Sequence, residues 1–166
     1  MSIVSKESIE QMSSQNIVAN LADFNQSYEE LRHKRETLNR EVTESKYELT
    51  RTGRVLAKQN KRLERLKFFI ENEIEEKQQL EATLKQCTRP ANVEKKLDNT
   101  AEQLKKYKTE EQTVIEEHLA TLQEIRALNN YILLKLEKVN KLDSQIACKK
   151  KTITSLKQGL SRLKVA

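Results

Sequence analysis

A chain of 166 residues with 34% charged and 4% aromatic residues, two glycines, one proline and no tryptophan turns too seldom to be a compact globular domain. Such a chain is a long helix or is disordered, and disorder carries no hydrophobic period. The apolar share of 36% would make a thin globular core but is enough for a seam between helices, and the net charge of +6 favours acidic partners.

No apolar run approaches the roughly 20 residues that span a bilayer. Residues 1–7 lack the apolar stretch of a signal peptide. Both absences point to the cytoplasm, with the nucleus as the alternative. Cys87 and Cys148 stand far apart and form no metal-ligand spacing.

In chain order, residues 1–16 are rich in Ser and Gln and read as a flexible tail. From Ile17 a heptad begins and holds to residue 88. With Ile17 at d, the a positions are Leu21, Tyr28, Arg35, Val42, Leu49, Leu56, Leu63, Ile70, Lys77 and Leu84. The d positions continue through Phe24, Leu31, Leu38, Ser45, Thr52, Gln59, Leu66, Glu73, Leu80 and Cys87. Most of these are apolar, and a frame kept over so many heptads implies a left-handed coiled coil.

Thr88, Arg89, Pro90 and Asn92 mark a hairpin turn at residues 89–92. Proline lacks an N–H and is expelled from helix interiors, yet it suits the start of a new helix. Thr88 or Asn92 would cap that start. A second helix is expected over residues 93–164. Its stronger series is Leu97, Leu104, Glu111, His118, Ile125, Ile132, Val139, Ile146, Ile153 and Leu160. Its companion series reads Ala101, Lys108, Ile115, Leu122, Asn129, Leu136 and Asp143, with a stammer near Leu136, Val139 and Leu142.

Two helices of roughly 70 residues joined by a short break form an antiparallel helical hairpin. Folding near Pro90 places residues whose numbers sum to about 179 opposite one another. The basic stretch 51–67 then faces the acidic stretch 110–128. Arg35 meets Asp143, Glu73 meets Lys106, and Lys77 meets Glu102. These polar seam residues would set the register. A parallel dimer would stack each of them on its own copy.

The apolar stripe of the second helix is wider than one partner helix can cover. Leu119, Leu128, Ile132, Leu133, Leu136, Val139 and Leu142 are therefore expected to pack on further helices, making the hairpin part of a larger bundle. At the other extreme of polarity, Lys149, Lys150, Lys151, Lys157, Arg162 and Lys164 form a basic end without acids. That end suits an acidic surface such as a microtubule, or an anionic membrane. Nucleic acid is disfavoured, because no aromatic side chain there could stack on bases.

No nucleophile–base constellation, metal-ligand set or phosphate-cradling loop is present, and His33 and His118 stand without catalytic partners. No enzyme, cofactor, metal or small-molecule substrate is expected. In length and pattern, though by no motif, the chain is similar to the small coiled-coil subunits of eukaryotic spindle and kinetochore complexes, augmin among them. The expected function is that of a structural subunit in a multi-protein coiled-coil complex, hetero-oligomeric and of cytoskeletal or mitotic-spindle type. The alternatives are a filament- or membrane-binding module acting through the basic end, and a vesicle-tethering or trafficking coiled coil.

Overall fold

The computed structural model describes residues 14–86, 88 and 90–165. It is an all-α helical hairpin of two long helices, α1 (Ser14–Leu84, 71 residues) and α2 (Ala91–Val165, 75 residues), packed against each other. Most of the expected tail, with Cys87 and Arg89, lies outside the described residues.

Three boundaries differ from those expected by two residues or more. Helix α1 already includes Ser14, Gln15 and Asn16, because Ile17 is fully buried and holds the turn that precedes it. It closes at Leu84 rather than at residue 88. There Gln86 N–H donates to the Thr83 carbonyl at 3.0 Å, which tightens the last turn in the usual way of a helix end. Helix α2 opens at Ala91 rather than at residue 93. Its first carbonyl acceptor is Pro90, which takes N–H bonds from Val93 at 3.0 Å and Glu94 at 2.8 Å. Proline serves well there because it needs no partner for a missing N–H. Asn92 belongs to the first turn of α2, not to the connection.

The pair divides into two packing units. One comprises residues 14–47 and 130–165, and the other Glu48–Asn129. In the first unit Ile17 and Leu156 are fully buried, with Leu21, Phe24 and Leu160 packed against them. Val42, Ile132, Val139 and Ile153 are also buried there. Thr152 is buried too, and its hydroxyl is satisfied by the Cys148 carbonyl at 3.2 Å. The second unit has a more polar seam. Leu66, Ile70 and Val114 are buried beside Thr52, Thr100 and Thr121. Gln59 Nε2 donates across the seam to Thr121 Oγ1 at 3.1 Å.

Helix α1 follows its expected frame: every a and d position from Ile17 to Leu84 is buried or half-buried. Helix α2 keeps the stronger series but not the companion. In the second unit its companion row is Val93, Thr100, Tyr107, Val114, Thr121 and Leu128. In the first unit it is Lys135, Leu142, Lys149 and Leu156. The steps of three and four are unbroken over residues 132–160, so there is no stammer. Lys135 and Lys149 occupy seam positions and hid the rhythm, while Leu136 sits just beside the seam. Ala101, Ile115, Leu122 and Leu136 form a further row one position outward.

Candidate partner-binding site

The charges that face each other set the first constraint on what the surface can bind. Arg35 Nε donates to Asp143 in an ion pair across the first unit, as the hairpin register requires. Glu73 makes no ion pair with Lys106 among the described residues. Lys77 pairs along its own helix with Glu81 at 3.8 Å rather than with Glu102, which is exposed. These sites are wet, and an exposed pair within one helix is as accessible as one between helices.

Lys135, at a seam position of the first unit, reaches Glu41 and lies 5.0 Å from the centre of the Tyr131 ring. The Lys135 hydrogen bond, helped by its charge and by Tyr131, holds the Glu41 carboxyl below its ordinary value against the opposing effect of desolvation. The same bond to Glu41 raises Lys135. Because the folded-state value of Glu41 is depressed, its contribution is fully present above the ordinary carboxylate value. It is lost as pH falls through the depressed one. The Lys135 contribution runs the other way: present below the ordinary lysine value, lost as pH rises through the raised one. Wild type is therefore expected to lose more thermal stability than Glu41→Gln between neutral and strongly acid pH. Circular-dichroism melts at several pH values check this, and equal slopes for the two proteins would refute the assignment.

Several residues expected to meet partner helices are already occupied. Leu128 and Leu142 are half-buried, and Ile132 and Val139 are buried, all at seam positions of the hairpin itself. Leu136 is half-buried at the seam's edge. Leu119 and Leu133 do face solvent, at 54% and 64% exposure, and Leu134 joins them at 61%. In the second unit Ile115, Leu119 and Leu122 make a short row of steps four and three on the flank of α2 beside the seam, with Leu122 half-buried. In the first unit Leu133 and Leu134 extend from the outer surface of the same helix, with Tyr131 also exposed.

The basic residues are redistributed as well. Of the stretch 51–67, Arg62 alone makes a cross-helix ion pair, with Glu110 at 2.7 Å. That bond and the nearby Glu117 raise the Arg62 pKa. Arg51, Arg54, Lys58, Lys61, Arg65 and Lys67 are exposed and enter no ion pair among the described residues. The expectation that the stretch as a whole faces the 110–128 acids is thus corrected: only its flank position reaches them. Near the end of α2, Lys149 lies over the Phe24 ring at 4.4 Å and is half-buried. It is a packing residue more than a free cation. Lys150, Lys151, Lys157, Arg162 and Lys164 are exposed.

An aromatic cluster escaped the sequence pattern. Phe69 stacks on Tyr107 with ring centres 5.5 Å apart, and Phe68 lies 6.1 Å from Phe69. Phe68 is 59% exposed. The doublet Phe68-Phe69, outside a and d in a chain with few aromatics, was the available signal.

Clefts are open grooves along the helix pair, such as the one between His33, Leu38, Lys138 and Leu142. Among the described residues no group of three or more His, Cys, Asp or Glu could hold a metal ion, and no helix is long and apolar enough to cross a membrane. In comparisons with known proteins, no family model matches the chain and no curated protein matches it.

Proposed function

We propose that the chain is a non-enzymatic structural subunit of a multi-protein coiled-coil complex. The observation that carries this reading is the apolar surface left on α2 after the hairpin seam is filled: Ile115, Leu119 and Leu122 in one unit, Leu133 and Leu134 in the other. Single exposed apolar residues are ordinary. A row at helical steps is what a further helix packs against. Burying one such leucine contributes about 1.5–3 kcal/mol. Partner helices would thus complete a bundle that the chain begins alone.

Within this class we favour a cytoskeletal or mitotic-spindle assembly, microtubule-associated or of kinetochore type. Its support is the likeness in length and pattern, together with the basic surface.

The test is the double variant Leu119→Glu/Leu133→Glu. Both positions are exposed, so its helicity should match wild type. The wild-type full chain should self-associate when purified alone and recover a defined set of coiled-coil proteins by affinity purification. The variant should be monomeric and recover none of that set. A monodisperse wild-type monomer, or an unchanged partner set for the variant, would refute the reading.

A further inference from the structure

Five exposed cations of α1 in the second unit are aligned. In the α1 heptad frame Arg51, Arg54, Lys58, Lys61 and Arg65 fall at c, f, c, f and c, on the side opposite the seam. Their steps are three, four, three and four. They form a single straight row about 21 Å long, with a charge every 5 Å or so. The acids of α2 do not neutralise it, for Glu110 and Glu117 act on Arg62 at the flank. Val55 and Phe69 border the row at flank positions, both 43% exposed, and Phe68 stands at its end.

We propose that this face of α1, from Arg51 to Phe69, docks an acidic amphipathic helix of a partner protein. The proposal rests on the reading of the chain as a complex subunit, but it concerns a different helix and a different face. The spacing names the partner. Acids placed three and four residues apart on a helix recur every 5 Å or so, matching the row charge for charge. Alternate side chains of an extended strand recur at roughly 6.6–6.8 Å and drift out of step along it. An apolar column beside those acids would cover Val55, Phe68 and Phe69. Aromatic and Arg side chains are the types that dominate binding at interfaces. Single-stranded nucleic acid stacks its bases on aromatics spaced along a basic groove, and a bilayer takes up a continuous apolar face beside the cations. Here Phe68 and Phe69 stand together at the end of the row, and Val55 is a single residue along it.

The probe is a fluorescent synthetic amphipathic helix carrying Glu at alternating three- and four-residue steps beside a Leu column. Its anisotropy is titrated with the full-length chain. Wild type should bind it, and rising ionic strength should weaken binding. A peptide of the same composition with the Glu order scrambled should bind about tenfold more weakly. Arg51→Glu/Lys58→Glu/Arg65→Glu should weaken binding by at least about tenfold, since three exposed contacts are reversed together. The neutral triple Gln variant should fall between, and Phe68→Ala should weaken binding by severalfold. Circular dichroism confirms that each variant stays helical. Leu119→Glu/Leu133→Glu should bind the peptide as wild type does, so loss of assembly and loss of this contact are separable. The proposal is overturned if the scrambled peptide binds equally, if the Glu triple variant binds normally, or if duplex DNA or phosphatidylserine vesicles bind the row more tightly than the ordered peptide.

Discussion

Leu156→Ala is expected to destabilise the hairpin by about 2–5 kcal/mol, whereas Leu133→Ala should change it by less than about 0.5 kcal/mol. The two leucines lie on one helix and in one packing unit, yet differ in what surrounds them. Leu156 is fully buried against Ile17, with Leu21, Phe24 and Leu160 closing the cluster. Truncation there removes transfer energy and leaves a cavity that a helix pair cannot easily collapse. Leu133 is 64% exposed, so truncation in the isolated chain removes little. Urea unfolding followed by circular dichroism measures both. Similar losses at the two sites would mean that the seam has been assigned to the wrong row of α2. The contrast should narrow in the assembled complex, where the proposed partner covers Leu133.

That contrast bears on what the sequence could reveal. Helix α1 was legible because its apolar residues coincide with its seam, from Ile17 through Val42 to Ile70. Helix α2 was half legible. Thr100, Thr121, Lys135 and Lys149 occupy seam positions, while Ile115, Leu122 and Leu136 lie one step outward. Hydropathy alone therefore chose the wrong companion row and then needed a stammer to keep it. Thr can occupy a seam because its hydroxyl bonds back to its own helix, as Thr121 does to the Glu117 carbonyl at 2.9 Å. Lys135 and Lys149 can do so because each finds a specific partner, Glu41 and the Phe24 ring. Neither device leaves a trace in a hydrophobic period. The basic row is a different case. The heptad frame that begins at Ile17 already put Arg51, Lys58 and Arg65 on the outer side, but summed charge over the stretch suggested pairing with the acids of α2. Heptad position, not proximity in sequence, decides which charges meet.

Replacing His118 by Leu is expected to stabilise the hairpin, by about 1–2 kcal/mol, the reverse of the usual effect of changing a seam residue. His118 continues the stronger seam series of α2, and its Nδ1 is buried without a hydrogen-bond partner among the described residues. Gln59, across the same stretch of seam, is in a similar position: its Nε2 reaches Thr121 while its Oε1 is buried and unpartnered. An unmet polar atom costs about 1–3 kcal/mol, and a leucine of similar size removes that cost while adding apolar contact. The same change at Gln59 should yield less, since it also gives up the bond to Thr121. For a chain of this size the His118→Leu gain corresponds to roughly 2–4 °C in thermal midpoint per kcal/mol, within reach of a circular-dichroism melt. A lower midpoint would show that Nδ1 has a partner in solution and that the seam is better satisfied than its geometry indicates. A higher one would show stability forgone at a seam position. Polar seam residues of this kind restrict register and the number of helices that can join. The stabilised variant should therefore be less selective, populating additional oligomers in sedimentation. If it gains stability and keeps the wild-type distribution, His118 has no part in choosing partners, and the selection falls to Arg35, Asp143 and the charges of the outer faces.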